Sequence, residues 1–199
     1  MDFELMYESF FKLIKGIPLT LEVVIISTIF GFFLAILVAL MRISKRGYLS
    51  NIAYYFVYAV RGTPLLLQIF FIYYGLAQFA FIQESFLWVV LKDPFWCAII
   101  ALTLNTTAYS SEIIRGGIQS VSKGYLEAAS AVGMGRLLSF RIIMLPLALR
   151  QALPAYGNEL ILMVKASSLI STVTLMEITG IARKIISQTF APIEIFLVA

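Results

Sequence analysis

The chain has 199 residues, of which 61% are hydrophobic and 13% are charged, and its net charge is +4. A soluble domain is about 45–50% apolar and about 25% charged, so this excess of apolar side chains predicts a lipid environment. With no histidine and with Cys97 as the single cysteine, the composition excludes His-dependent triads, His-ligated zinc and CxxC metal sites. No P-loop motif is present, and a modest basic excess is typical of cytoplasmic loops and does not indicate nucleic acid.

Long apolar stretches predict an all-α integral membrane protein that forms one domain over residues 1–199. A helix needs about 20 apolar residues to cross a bilayer core of about 30 Å. The second span is expected to begin at Pro64, because proline disfavours a helix at the preceding residue. The fifth span is expected to be truncated, a short C-terminus being the alternative. The predicted spans are 19–41, 64–80, 95–114 and 147–164, with the start of the fifth at 189–199.

Basic residues predict the orientation of these spans. They cluster at 42–46 and at 115–150, with few acidic residues beside them. The positive-inside rule therefore places both segments in the cytoplasm and the N-terminus outside. A soluble partner could attach to the long cytoplasmic loop, 115–146.

That loop contains a predicted helix. The run from Gly124 to Met134 is rich in alanine, the best helix former, and Gly133 stands where a C-terminal glycine is favoured. Glu127, in the first turn, is favourable against the helix dipole. On composition alone, the segment is either a helix on the membrane surface or a docking element. A second short helix is predicted at 135–143, before the next span.

The spacing of Glu127-Ala128-Ala129, Gly133 and Ile143-Met144-Leu145-Pro146 resembles the EAA loop of ATP-binding-cassette importer permeases. Segments 61–68, 109–121, 157–159 and 165–169 resemble the polar amino acid subfamily of these permeases, with two departures at Ser122 and Ala166. The resemblance implies a five-span type I importer fold in which the helix at 124–135 couples to an ATPase subunit. The implied coupling residues are Leu126, Glu127, Ala128, Ala129, Gly133 and Met134.

The resemblance also implies the partners and the location of the chain. The chain would be a transport subunit and not an enzyme, with no cofactor of its own, because ATP and Mg²⁺ would bind two cytoplasmic ATPase subunits. The other implied partners are a second permease chain, in a homo- or heterodimer, and an extracytoplasmic amino acid-binding protein. The location would be a bacterial inner (plasma) membrane, with lipid as a partner and no nucleic acid.

Ionisable residues inside a membrane are costly and often functional. Glu159 lies deep in its span and is predicted to contact a cationic substrate, which gives a slight preference for arginine, lysine or histidine; an interhelix hydrogen bond is the alternative. Arg61 is interpreted as an interfacial anchor, and Glu112 with Arg115 as an intrahelical ion pair. A hydroxyl-rich, partly unwound segment is predicted after the fourth span. The other predicted substrate contacts are Leu66, Asn105, Thr106, Ser111, Asn158, Ser168 and Thr172.

Several alternatives remain open. Glutamine or glutamate import is one, because the subfamily often has a glutamate at the position of Glu159. An ion-coupled secondary carrier predicts repeat symmetry and paired intramembrane carboxylates, and the sequence has neither. A passive membrane scaffold explains the small residues of the spans but not the EAA spacing. An intramembrane hydrolase using Ser110 or Ser111 would lack a histidine, and Lys165 is not obviously near.

Overall fold

The chain folds into α-helices joined by short turns, as the composition predicts. The computed structural model describes residues 2–199, and within this range it contains no β-strand. The helices are α1 (Phe3–Ile14), α2 (Ile17–Ile43), α3 (Gly47–Gly62), α4 (Leu65–Phe70), α5 (Ala80–Gln83), α6 (Trp88–Leu91), α7 (Pro94–Gln119), α8 (Lys123–Ala131), α9 (Arg136–Ser139), α10 (Leu145–Ala166), α11 (Ile178–Thr189) and α12 (Pro192–Val198).

These helices belong to two compact units, each assembled from separate stretches of the chain. The first unit comprises the residues up to Ile29, Thr63–Thr103 and Leu162–Ala199. The second unit comprises Phe30–Gly62 and Leu104–Ile161. Within either unit, side chains that are distant in sequence can therefore lie close together.

Among residues 2–199, two helices are long and apolar enough to cross a membrane, namely α2 and the continuous helix Arg136–Val173. The bent pair Gly47–Gly62 and Leu65–Gln78 adds a third if it counts as one broken span. Helix α7 is 26 residues long, but hydroxyl and amide side chains from Thr103 to Ser111 make it more polar. The five-span count therefore stays a prediction.

The structure gives the helices that correspond to three of the predicted spans. The helix at the first span, predicted at 19–41, is Ile17–Ile43, and the helix at the third, predicted at 95–114, is Pro94–Gln119. In the span predicted at 64–80, the regular α-helix α4 ends at Phe70. A π-helical turn and a 3₁₀ turn follow it, at Phe71–Gly75 and Leu76–Gln78.

The structure has no break in the helix at the predicted boundary between the cytoplasmic loop and the fourth span. One helix runs without a break from Arg136 to Val173, through the positions assigned to the loop. Pro146 does not interrupt it, because the wide turn Phe140–Met144 directly precedes it. Proline lacks an N–H and clashes with the carbonyl four residues back, and a π-helical turn can accommodate both defects. The segment between the two long helices is therefore 120–135.

In the first unit, α1 and the helices of the C-terminal segment share a small apolar core, formed by Leu13, Ala182, Ile185 and Ile195. Gly16 allows the close approach, since a Cβ there would lie 2.5 Å from the backbone nitrogen of Ile178. The buried carboxylate of Glu177 caps α11 by accepting hydrogen bonds from the backbone N–H groups of Thr179 and Gly180, at 2.9 and 2.8 Å. Burial raises the pKa of Glu177, although these hydrogen bonds favour the charged form.

In the second unit, α7 and α10 come into close contact at Gly117. A Cβ on Gly117 would lie 2.8 Å from the carbonyl oxygen of Ala148 and 3.0 Å from the Cβ of Ala152. Small residues allow backbones of packed membrane helices to approach closely. The neighbouring Gly116 has nothing within 4 Å of the corresponding position, so the requirement for glycine is specific to one residue of the pair.

Gly117→Ala is expected to destabilise the protein by about 1–3 kcal/mol, because the α10 backbone must move to admit the methyl group. Gly116→Ala, the matched control in the same turn, is expected to be neutral or to stabilise by up to about 1 kcal/mol through helix propensity. Thermal unfolding of the purified proteins in detergent measures both effects. Equal behaviour of the two variants would contradict the close contact.

Candidate functional site

Glu159 is a buried carboxylate in the second unit. Its side chain is 6% exposed, on α10. It interacts electrostatically with the guanidinium of Arg61 at the end of α3. One turn earlier, the ring of Tyr156 meets Phe32 edge-on, with centroids 5.5 Å apart. Pro154 lies inside the same helix and removes one backbone N–H donor near the site.

Four other predicted substrate contacts also lie in the second unit, on α7 and α10. Thr106 and Ser111 are buried, Asn105 is half-buried and Asn158 is exposed. The hydroxyl of Ser111 donates to the carbonyl of Ala108 at 2.9 Å, so its proton is engaged within α7. The Thr106 hydroxyl lies 3.5 Å from that of Ser110. Small polar residues of this kind also hold membrane helices together.

The remaining three predicted contacts, Leu66, Ser168 and Thr172, lie in the first unit. Ser167–Val173 is a 3₁₀ helix that continues α10 with a tighter turn, and not the partly unwound segment predicted after the fourth span. Ser168 donates to the carbonyl of Lys165 at 2.8 Å, and Thr172 to that of Leu169 at 2.6 Å. Their hydroxyl oxygens therefore remain available as acceptors, while their protons bond to their own helix.

Glu112 is the centre of an ion cluster in the second unit. The predicted pair with Arg115 is confirmed, at 2.6 Å between Nη2 and Oε2. The sequence did not predict that Arg42, at the end of α2, also donates from Nε to Glu112 Oε1 at 3.1 Å. The cluster of basic residues after the first span could have indicated such an ion pair, but it was used only to predict the orientation of the spans. One carboxylate thus serves two guanidinium groups.

A pocket of about 410 Å³ adjoins this cluster. Ligand pockets typically have volumes of about 300–1,000 Å³. Two arginines stack on tyrosine rings at its walls: Arg61 lies 4.9 Å from the ring centroid of Tyr109, and Arg42 lies 5.0 Å from that of Tyr54. Sequence reasoning missed the tyrosines, because their helical spacing alone does not indicate which cation they meet. The lining residues are Arg42, Tyr54, Val57, Tyr58, Arg61, Gly62, Tyr109 and Glu112.

The predicted loop helix is α8, and both of its ends are capped. The Ser122 hydroxyl accepts a hydrogen bond from the backbone N–H of Gly124 at 3.3 Å. At the other end, the N–H of Gly133 bonds to the carbonyl of Ser130 at 3.1 Å and that of Met134 to Ala129 at 2.9 Å. This pair of bonds is a Schellman motif, and the φ of +78° at Gly133 explains the glycine.

The structure divides the six predicted coupling residues by exposure. Glu127, Ala128 and Gly133 are exposed, whereas Leu126 and Met134 are half-buried. Ala129 is buried, with 3% of its surface accessible. The exposed residues can meet a partner directly, and the buried alanine supports the helix.

Among residues 2–199, no group of three or more Cys, His, Asp or Glu side chains is arranged to hold a metal ion. In the second unit, the ionisable residues that come together are arginines with glutamates. Such groups can bind ligands that carry charges of both signs.

Apolar helices of membrane-spanning length are those of a membrane protein, and this one also has a buried carboxylate on one of those helices and a capped surface helix. Residues 22–198 match the family described as "Binding-protein-dependent transport system inner membrane component", and the chain belongs to this family.

Relatives of known assignment agree with this membership. The chain is 56% identical to the nopaline transport system permease protein NocM of Agrobacterium fabrum, over 100% of this chain and 83% of the relative. It is 40% identical to the histidine/lysine/arginine/ornithine transport system permease protein HisM of Escherichia coli K12, over 92% of this chain and 78% of the relative. A crystal structure described as "an amino acid ABC transporter with histidines" is 33% identical, covers 100% of this chain and 88% of its own, and superposes with a TM-score of 0.87.

The chain is therefore a permease subunit of an ABC amino acid importer with the all-helical type I fold, and it is an inner-membrane component. It is a transport subunit, and the ATPase is a separate subunit. Because the chain belongs to this family, the secondary carrier, the passive scaffold and the intramembrane hydrolase are excluded as its function.

Glu112→Gln is expected to destabilise the protein by about 1–3 kcal/mol, because Arg42 and Arg115 both lose their counter-charge in a partly buried place. The three side chains are only 15–27% exposed. Glu8→Gln breaks an exposed pair with Lys12 and is the control, with an expected loss of at most about 0.5 kcal/mol. Thermal unfolding compares the two, and an equally small effect at Glu112 would contradict its bridging role.

Proposed function

We propose that this permease carries amino acids with a cationic side chain, and that Glu159 contacts that side chain. A buried carboxylate supports the proposal most directly, because a charge in this position is costly unless it is paired. The names of two relatives point the same way, since they specify nopaline, which is arginine-derived, and the basic amino acids histidine, lysine, arginine and ornithine.

Import of glutamine or glutamate is the second candidate. The interaction of Glu159 with Arg61 favours it, because a carboxylate whose charge is already partly balanced inside the protein has less need of a cationic substrate. The two candidates differ in what removal of the Glu159 charge would do.

The second part of the proposal concerns energy coupling. Helix α8 would insert into a groove on a cytoplasmic ATPase subunit, and ATP with Mg²⁺ would bind there and not to this chain. Its caps at both ends support this role, because a rigid helix can transmit a displacement that a flexible loop would absorb. Two ATPases would act on a dimer of permease chains, either two copies of this chain or this chain and a related one.

The third part concerns orientation and the remaining partner. The N-terminus would face outside, as the clusters of basic residues at 42–46 and 115–150 indicate. An extracytoplasmic amino acid-binding protein would then deliver substrate to the opposite face from α8. The family description, which specifies dependence on a binding protein, supports this partner.

The coupling role predicts the effect of changes on the exposed face of α8. The double variant Glu127→Lys with Ala128→Asp is expected to weaken ATPase association by at least about tenfold, because both side chains are exposed and would face the partner. Co-purification of the ATPase, and substrate uptake, measure the effect.

The matched control places the same new side chains on α11, as Ser187→Asp with Gln188→Lys, where both residues are exposed. It is expected to leave association unchanged. Normal ATPase association in the α8 variant would exclude this helix as the coupling element.

Glu159→Gln is expected to lower the affinity for L-arginine by about tenfold or more and to leave L-glutamine within about twofold, because only a cation loses an ionic partner. Uptake into vesicles containing the reconstituted transporter, with each amino acid in turn, measures the difference. An equal loss for both amino acids would assign Glu159 a structural role and favour the second candidate.

A further inference from the structure

Arg61 stands at a break in the chain. Helix α3 ends at Gly62, directly after it, and α4 begins at Leu65. The pair Gly47–Gly62 and Leu65–Gln78 has the length and composition of one broken span or of a re-entrant loop, and Arg61 lies next to its break. Broken helices commonly line substrate sites in transporters, and a charged residue in a membrane segment is costly unless it has a function.

The side chain of Arg61 is exposed and lines the pocket described above. Its contact with the ring of Tyr109 is a cation–π interaction, which holds the guanidinium without using its hydrogen-bond donors. A guanidinium offers five N–H groups in a fixed fork that matches the two oxygens of a carboxylate. Arg61 is therefore held in position while its donors stay available.

The other charges in this part of the second unit leave Arg61 without a close anionic partner. Glu112 is occupied by Arg42 and Arg115. Among residues 2–199, no ion pair within 4.0 Å includes Arg61, and the carboxylate that interacts with it at longer range is Glu159. Arg61 and Glu159 thus interact electrostatically without forming an ion pair within 4.0 Å.

An amino acid with a cationic side chain carries the complementary charges. We propose that Arg61 binds the α-carboxylate of the transported amino acid, while Glu159 binds its cationic side chain. The assignment of Glu159 rests on the proposed function, but the assignment of Arg61 does not, since every amino acid has an α-carboxylate. On binding, the weak interaction between the two protein charges is exchanged for two close ion pairs with the substrate. This role replaces the interpretation of Arg61 as an interfacial anchor.

The experiment measures equilibrium binding to the complete membrane complex in lipid nanodiscs, without the binding protein. The ligands are L-arginine, L-glutamine and agmatine, which is arginine without its carboxylate. Arg61→Gln is expected to lower the affinity for both amino acids by at least about tenfold and to leave the affinity for agmatine within about twofold of the wild type. Arg61→Lys keeps the charge but loses the forked guanidinium. Its affinities for the two amino acids are expected to lie between those of Arg61→Gln and those of the wild type.

Arg150→Gln, which removes an exposed arginine of α10, is the control and is expected to change none of the three affinities. The carboxylate role of Arg61 is overturned if Arg61→Gln lowers the affinity for agmatine as much as that for L-arginine, or if it lowers neither affinity. Glu159→Gln tests the other assignment separately, because it is expected to weaken L-arginine and agmatine but not L-glutamine. A failure of that pattern would overturn the cationic preference and leave the result at Arg61 standing.

Discussion

Charge neutralisation in a region of low dielectric is the constraint on which this structure most depends. Removing a charge from water costs several kcal/mol, so arginines and glutamates within the helices need partners. Glu112 meets this need for Arg42 and Arg115, and tyrosine rings meet it in part for Arg42 and Arg61. These contacts join the ends of α2, α3 and α7 within the second unit. Charge pairing therefore contributes to the tertiary arrangement there, together with apolar packing.

A second consequence concerns how movement could reach the substrate. Helix α8 is joined by residues 132–135 to the helix that runs from Arg136 to Val173, and Glu159 lies on that same helix. The two are separated by about 35 Å of helix axis. The Schellman motif at Gly133 makes the exit from α8 rigid, and the wide turn before Pro146 keeps the long helix intact. The proposed docking element and the proposed substrate carboxylate are therefore connected by one nearly continuous element.

The sequence predicted the type of most elements, and the structure gave their bounds as helices. Apolar length identified α2, and alanine content with Gly133 identified α8, because both signals are local. The helix at 135–143 and the span at 147–164 were predicted as separate elements, and only the structure revealed the wide turn that joins them through Pro146. The irregular segment after Phe70 has no local signal of this kind, since Phe71–Gly75 is an ordinary apolar run.

The sequence by itself determined the membrane environment, the helical class, the capped loop helix and the pairing of Glu112 with Arg115, because these follow from composition or from spacings within one turn. The tertiary structure alone decided that Arg42 shares Glu112, that Arg61 stacks on Tyr109 and that Gly117, and not Gly116, must lack a side chain. Each of these depends on which residue of another helix lies opposite. Packing between segments far apart in the chain determines which residue lies opposite, and the periodicity of a single segment does not indicate it.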